Sequence, residues 1–407
     1  MCLEAVMKKF FSILTILILL TSVVFAGDFN FVLTELDQHP ELLAGFLPTL
    51  TSIGTRYEGL TLIKGNTTAI QGTIGGGYTQ RILYQNPIDG TVLDGDFGVF
   101  DSVQLRWNLK LSQGFGDSWV EGLDLFTLYL GYEGRMEYNR SYGSLAVNDG
   151  AKAIGHSTNN DIVKDLYAWF KDFGSSAINT TTIYPDIAGD YRAFMTNFYG
   201  GIKLNLMEDL MVSNKGATFE VKGQWAPSFI KDGTDFYSLT FNAVAGATIL
   251  EVKNGRNGTN NFSVVAIDRV NVNWTDGNAV PVYASMPNSL GRKVRGFNTN
   301  SYNTNFTVVN NFDLRFAGPE PLIDGIFPRL NLYFDVGYHM GDYFNTGKNG
   351  VAAVSDSNLL CSTGFQLEMC FFDFIDLGFQ FSYLIKGTNL RQPDNRFITG
   401  ATFFLDF

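Results

Sequence analysis

The chain has 407 residues, of which 45% are hydrophobic, 14% aromatic and only 17% charged, and its formal net charge is −11 at pH 7. This acidic balance lacks the basic footprint with which proteins contact phosphates, so no nucleic acid is expected among its partners. A mean hydropathy of +0.03 excludes a bundle of membrane helices, and the low charge with 43 glycines favours many strands.

The first 26 residues have the organisation of a secretory signal peptide. Lys8 and Lys9 precede an apolar run over 10–25, and the small residue Ala26 stands at the expected cleavage point. An uncleaved membrane anchor is the alternative, but the run is short for a span. The sequence therefore predicts export with removal of residues 1–26, which carry two Lys and one Glu, so the net charge goes from −11 to −12.

Residues 27–65 precede the clear strands. This segment holds Pro40 and then a helix-like apolar stretch, and we interpret it as an N-terminal plug inside a barrel. Two alternatives remain: a loose periplasmic segment, or an extra strand supplied by RYEGLTLIKG at 56–65.

Twelve later segments alternate apolar and polar residues with the period of two that is typical of strands with unlike faces. Most are longer than the five or six residues of strands in soluble sandwiches, and about nine to eleven tilted residues cross a bilayer. Since lipid offers no partners for backbone groups, such a sheet must close. The segments are 70–84, 103–111, 125–138, 191–206, 216–229, 236–250, 261–274, 303–316, 330–340, 359–371, 375–386 and 395–407.

These observations predict an all-β fold, a closed antiparallel transmembrane β-barrel over 66–407. The predicted number of strands is about 12, or up to 14 if the N-terminal segment contributes. One segment fits less well, because in 261–274 the charged Asp268 falls among apolar positions. A β-bulge would restore the phase; otherwise the strand is misplaced.

Most connections alternate in length, as is expected of outer-membrane barrels with short periplasmic turns and long outer loops. The exceptions are the tight turn 230–235 in the outer set and the longer connection 317–329 in the periplasmic set. Residues 275–302 belong to the long set, and 139–190 is the largest outer loop. Within 139–190 the sequence predicts an amphipathic helix that ends at Gly174. Its apolar face either packs on the loop and barrel rim or forms a lid or docking groove; it comprises Ile162, Leu166, Trp169, Phe170 and Phe173.

The chain ends in a strand whose alternating apolar residues include Phe403, Leu405 and the terminal Phe407. This ending resembles the C-terminal signal of bacterial outer-membrane β-barrels of the porin or channel type. The resemblance implies recognition by the barrel-assembly machinery and a final location in outer-membrane lipid.

Charged residues of both signs occupy the polar face of the predicted strands. Ion-pair ladders that fill a sealed lumen would produce this mixture, and so would a wet channel with weak ion selectivity. The predicted lumen-lining residues are Arg81, Arg106, Lys110, Glu133, Arg135, Glu137, Lys203, Glu220, Lys222, Asp313, Arg315, Asp335, Glu368, Asp376, Lys386 and Arg396.

No sequence pattern indicates catalysis, a metal or a cofactor. His339 lies three residues before Asp342, which is a very weak match to the rim His–Asp pair of some outer-membrane proteases. Cys361 and Cys370 fall on one predicted strand, about 30 Å apart at ~3.3 Å per residue, too far for a disulfide. We therefore expect no enzyme, no cofactor and two unpaired thiols.

The sequence thus predicts an outer-membrane channel or transporter for small or lipophilic solutes. In outline it resembles the long-chain fatty-acid outer-membrane transporter family, with an exported barrel, an N-terminal hatch and an apolar outer-loop helix. That family has fourteen strands and an Asn-Pro-Ala hatch motif; the similar Asn86-Pro87-Ile88 lies after the first clear strand, so no site residues are transferred. The alternative is an adhesin or structural barrel that acts through its long outer loops.

Overall fold

The fold is described from a computed structural model. It describes residues 29–38, 48–60, 62–82, 99–119, 123–141, 192–207, 215–230, 234–253, 260–297, 302, 304–318, 326–343, 358–371, 375–389, 392 and 394–405. The predicted signal peptide, the predicted loop helix with its apolar face at 162–173, and Phe407 lie outside these residues.

Fourteen strands form one antiparallel sheet in which each strand pairs with its neighbours along the chain. The all-β, antiparallel prediction is therefore confirmed. The strands are β1 (Phe29–Gln38), β2 (Pro48–Leu60), β3 (Thr68–Ile82), β4 (Val99–Asp117), β5 (Asp124–Ser141), β6 (Arg192–Asn205), β7 (Gly216–Ala226), β8 (Asp235–Lys253), β9 (Asn260–Ala279), β10 (Thr304–Ala317), β11 (Ile326–Tyr343), β12 (Leu359–Phe371), β13 (Ile375–Lys386) and β14 (Phe397–Leu405).

Strands β3 to β14 correspond one to one to the twelve predicted segments. The count of twelve is low by two, because β1 and β2 come from the segment interpreted as a plug. In the described part of 27–65 the chain adds strands to the sheet, and the plug is not confirmed. The alternation in β2 is hard to recognise in sequence because Thr and Gly occupy many of its positions.

The two ends of the sheet are not joined in the described residues. Strand β1 pairs with β2 and β14 pairs with β13, and no ladder connects β14 with β1. The predicted closure is therefore not confirmed. Alternation along a strand specifies its two faces, but it carries no information about which edges meet.

The two faces of the sheet differ in polarity. On β11, Leu332, Phe334 and Met340 are exposed on one face, whereas Asp335 and His339 on the other are 0% and 2% exposed. The same division holds along the neighbouring strands, where large apolar side chains are exposed and polar ones are buried. We call the apolar side the outer face and the polar side the inner face.

The charged Asp268 of β9 lies on the outer face, and β9 has no bulge where it pairs with β10. The ladder between β9 and β10 runs unbroken from the pair Phe306–Trp274 to the pair Ala317–Ser263. Asp268 is exposed, and Asn310 donates a hydrogen bond from Nδ2 to its Oδ1 at 2.6 Å. The register irregularities of β9 lie on its β8 side, at three places: between the β8 residues Asp235 and Phe236, Thr248 and Leu250, and Val252 and Lys253. The strand was therefore placed correctly, and the polar pair is a feature of the outer face.

The two rims of the sheet differ in the length of their connections. One rim, here called the turn end, carries short links such as 372–374 and 61–67. The opposite rim, the loop end, carries 83–98, 142–191 and 280–303. The antiparallel order places both β1's start and β14's finish at the turn end, as the predicted alternation of connections requires.

The β9–β10 connection does not extend away from the sheet as an outer loop. Its described part, 280–297, contains helix α1 (Val282–Ser285) and two 3₁₀ turns, Met286–Asn288 and Leu290–Arg292. We call 280–297 the inward segment. It packs on the inner face in a cluster of buried apolar side chains comprising Leu290, Val294, Phe297, Tyr302, Val309, Leu360 and Leu384, with Ile398 against it.

This packing corrects the expectation that 275–302 is an outer loop. Full burial of an apolar side chain of this size contributes about 1.5–3 kcal/mol, so Leu290, Val294 and Phe297 favour the docked position of the segment. In the part of the chain that the structure describes, no α-helix is long and apolar enough to cross a bilayer.

Candidate functional site: an interior crossed by the inward segment

Arg295 attaches the inward segment to strand β11. Its Nη2 lies 2.7 Å from Asp335 Oδ1, its Nε donates to Asp335 Oδ2 at 2.8 Å, and its backbone N–H donates to the same oxygen at 2.9 Å. A guanidinium matches a carboxylate in this two-pronged geometry better than an ammonium does. Because Asp335 is fully buried, the pair is required to compensate its charge.

The same guanidinium also joins strands β10 and β12. Its Nη2 lies 2.6 Å from Asp313 Oδ1, and its Nη1 donates to Gln366 Oε1 at 2.9 Å. It stacks over the ring of Tyr333, 3.8 Å from the centroid. Burial by itself lowers the pKa of Arg295, but hydrogen bonds and charges from Asp335 and Asp313 outweigh burial and raise the pKa above its ordinary value. The cation is therefore fixed among three strands.

The beginning of the inward segment reaches strands on a different part of the sheet. Tyr283 packs edge-on against Phe236 of β8, and Arg135 of β5 lies over its ring, 3.6 Å from the centroid. The Tyr283 hydroxyl donates to Asn197 Oδ1 of β6 at 3.4 Å. With Tyr283 at β5, β6 and β8 and Arg295 at β10 to β12, the segment extends along the inner face over neighbouring strands.

Two glycines make room for the segment on the inner face. Gly337 of β11 faces the segment, and a Cβ there would lie 2.7 Å from Val294 Cγ2. Gly296 has φ +92°, which side-chain-bearing residues rarely adopt, and a Cβ would lie 2.8 Å from Ser382 Cβ on β13. The close approach of the segment to β11 and β13 thus depends on residues without side chains.

Tyr302 fixes the return of the chain toward β10. Its hydroxyl donates to the Thr388 carbonyl oxygen at 2.7 Å, and its ring packs against Phe297 and His339. Its φ of 55° is uncommon for a bulky residue, so the surrounding contacts hold the backbone there. Burial raises the pKa of Tyr302, although the Thr388 hydrogen bond acts in the opposite sense.

A polar cavity of about 420 Å³ lies beside the inward segment. Four cationic side chains line it against two carboxylates, and the remaining lining residues are amides, so every lining side chain carries a charged or amide group. By strand position, Arg315 and Glu368 place much of the cavity toward the turn end. The lining comprises Arg269, Lys293, Arg295, Asn311, Asp313, Arg315, Asn331, Gln366, Glu368 and Gln380.

Comparison with known proteins gives a fold but no family. No family model and no curated protein sequence matches the chain. Among solved structures, the chain is similar to BamA from Haemophilus ducreyi lacking POTRA domains 1-3, with a TM-score of 0.50 and 14% identity. The chain has a BamA-like fold. The match covers 88% of this chain and 62% of the BamA chain, so the chain spans about three-fifths of the structure it resembles.

In this BamA-like sheet most of the predicted lumen residues lie on the inner face. Glu133 and Arg135 form an ion pair at 2.9 Å, and Asp313 and Asp335 hold Arg295. The other predicted residues with described side chains that take inner-face positions in their strands are Arg106, Lys110, Lys203, Glu220, Lys222, Arg315, Glu368 and Lys386.

Arg396 differs from the prediction. It precedes β14, is exposed, and donates from Nη1 to the carbonyl oxygens of Leu384 and Ile385 at 3.0 and 3.3 Å. It therefore holds the β13–β14 rim. Residues whose strands are described but whose side chains are not are Arg81, Glu137, Asp376, Phe403, Leu405, Asp342 and Cys370.

The remaining predicted features are placed as follows. His339 is buried beside Tyr302, and Cys361 is a buried free thiol. Cys361 and Cys370 lie near opposite ends of β12. Among the described residues, no group of three or more His, Cys, Asp or Glu side chains is positioned to hold a metal ion.

The residues that organise the interior were largely missed from sequence. Arg295 and Lys293 lie in the short basic run GRKVRG at 291–296, which was treated as part of an outer loop. Arg269 was missed because its strand showed an irregular phase. The available signal was the combination of this basic run with the apolar residues Leu290, Val294 and Phe297. Exposed loops seldom combine basic and apolar residues in this way.

Proposed function

We propose that the protein is an outer-membrane β-barrel that passes small polar solutes and whose lumen is closed at rest by the inward segment. The location is supported by the BamA-like fold, because BamA is an outer-membrane β-barrel protein. The outer face adds independent support, since its exposed apolar side chains would be unfavourable in water and suit lipid.

The observation that carries the proposal is the path of 280–297 along the inner face. Its contacts with β5, β6 and β8 on one side and β10 to β13 on the other are non-covalent. A segment held in this way blocks passage while docked and can move when its contacts are exchanged for others. The polar contacts of Arg295 are suited to such exchange, because water or a charged solute competes for them.

The lining of the interior favours a polar solute over a lipophilic one. No apolar side chain lines the cavity beside the segment, and a hydrophobic ligand would desolvate its charged groups without compensating them. The fatty-acid interpretation therefore receives no support from the described interior.

Planar-bilayer conductance of the refolded chain 27–407 tests the proposal. The wild type is expected to be silent or to open rarely, whereas a variant in which 280–297 is replaced by a short Gly-Ser link should show stable conductance steps. Removal of 150–167, an equal number of residues from another loop-end connection, serves as the control and should leave the wild-type behaviour. Silence from a correctly folded variant without the inward segment would refute the proposed passage.

A further inference from the structure

Two tyrosines lie against glycines on the inner wall formed by β4 to β7. A Cβ at Gly131 would overlap the ring of Tyr199, and a Cβ at Gly201 would overlap the ring of Tyr129. Both rings are largely buried, and their centroids are 6.2 Å apart. Because the glycines leave space, the tyrosine rings lie flat along the wall.

Each tyrosine carries a lysine over its ring. Lys110 Nζ lies 4.6 Å from the centroid of Tyr129, and Lys222 Nζ lies 4.7 Å from the centroid of Tyr199. Cation–π contact positions an ammonium group without neutralising it. The hydroxyls are also fixed, since Tyr129 donates to Glu220 Oε1 at 2.5 Å and Tyr199 donates to Asn108 Oδ1 at 2.8 Å.

The charges around this pair are predominantly positive. Three cations, Arg56, Lys203 and Lys222, and one carboxylate, Glu220, act on the charge of Lys110. Arg56 itself is paired with Glu58 at 2.5 Å. Like charges held this close in a partly buried wall repel one another, and an anion placed among them would remove the repulsion.

We propose that the wall bearing Lys110, Lys222, Tyr129 and Tyr199 is a binding site for the oxyanion group of a small soluble solute, of the phosphate type. This inference rests on the proposed function and deepens it, because it names the chemical class of the solute that is passed. By strand position the site lies in the turn-end half of the interior, the half that also holds much of the cation-lined cavity.

The type of cation supports a phosphate-like ligand. Lysine ammonium groups act as compact point charges with three rotatable donors, and they bind phosphate oxygens without a fixed fork geometry. Two ammonium groups on neighbouring rings present donors to different oxygens of one ligand. Lys203 of β6 is exposed and adds a further positive charge to this wall, so a group with two or more negative charges gains most.

Calorimetric titration of the folded full chain 27–407 in detergent micelles with sodium pyrophosphate tests the site. The double variant Lys110→Gln/Lys222→Gln should weaken binding by at least about a hundredfold, because it removes two charge-assisted hydrogen bonds to the ligand. Lys386→Gln, which removes a lysine from an inner-face position of β13 at the loop end, is the matched control and should bind as the wild type does.

Two further measurements keep the outcome decisive. If the double variant does not fold, Lys203→Gln, at an exposed side chain, should still weaken binding by a smaller factor. Absence of pyrophosphate binding to the wild type, or equal binding by Lys110→Gln/Lys222→Gln, would overturn the site. Conductance is recorded separately. If the wild type binds pyrophosphate but the variant lacking 280–297 does not conduct, the binding site stands and the proposed passage is refuted. If that variant conducts but the wild type does not bind pyrophosphate, the passage stands and the binding site is refuted.

Discussion

Residues 29–60 and residues 280–297 exchange the roles that their sequences suggest. The first region contains Pro40 and an apolar stretch without clear alternation, yet its described residues extend the sheet as β1 and β2. The second region has the length of an outer loop, yet it folds onto the inner face. The difference shows that the residues a segment packs against decide whether it joins the sheet or lies on the inner face. The position of the segment in the chain does not decide it.

The two regions also differ in the interactions that hold them. Strands β1 and β2 are held by backbone ladders, whose partners any sequence can supply. The inward segment is held by specific side chains, Arg295 and a few apolar residues, against glycines that leave space. Replacement of a single side chain should therefore destabilise the docked position of the inward segment much more than the pairing of β1 and β2.

Deletion distinguishes the two regions most strongly. Removal of 29–60 takes two of the fourteen strands and their ladder with β3 from the sheet, so this variant should not form a fold that resists denaturation by SDS. Removal of 280–297 should leave such a fold intact. The measurement is gel mobility with and without boiling, together with circular dichroism. A folded and conducting variant lacking 29–60 would restore the plug interpretation.

Arg295→Met removes the ion pairs that hold the inward segment on β10 and β11. It leaves the fully buried Asp335 without its compensating charge, and breaking a buried pair in this way costs about 3–5 kcal/mol. Urea unfolding in lipid vesicles should show this loss of stability. Arg295→Lys keeps the charge but not the two-pronged geometry, so it should recover only part of the loss; full recovery of wild-type stability by Arg295→Lys would contradict the proposed bidentate role.

Gly337→Leu should displace the inward segment by overlap with Val294. Overpacking of this kind costs about 1–3 kcal/mol, and the displacement should raise the frequency of conductance openings. Gly72→Leu, at an outer-face glycine with open space around its Cβ position, is the control. Unchanged conductance in Gly337→Leu would show that the segment does not limit passage at this point.

Tyr302→Phe has the smallest expected effect. It removes the hydrogen bond that the hydroxyl donates to the Thr388 carbonyl oxygen and the one that it accepts from the Thr388 N–H, while it keeps the ring packing. This should cost about 1–2 kcal/mol. Urea unfolding measures the change. A loss of stability as large as that of Arg295→Met would mean that the contacts of Tyr302, rather than those of Arg295, hold the inward segment.

The sequence predicted the strands more successfully than the interior. Twelve strands were recognised because long alternating runs have one apolar and one polar face, and the inner-face positions of Lys110, Asp313 and Asp335 follow directly from that alternation. β2 is harder to recognise from the sequence because Thr and Gly weaken the contrast between its faces. Arg396 was misplaced because the alternation was extended beyond the end of the strand.

By itself the sequence determined the all-β class, the strand boundaries within a few residues, and which side chains face inward, because these depend on local periodicity. Only the tertiary structure decided that 280–297 enters the interior, that Arg295 meets Asp313 and Asp335, and that Lys110 and Lys222 stand over neighbouring tyrosines. Those contacts join residues far apart in the chain, and they arise when the curled sheet brings distant strands around one shared space.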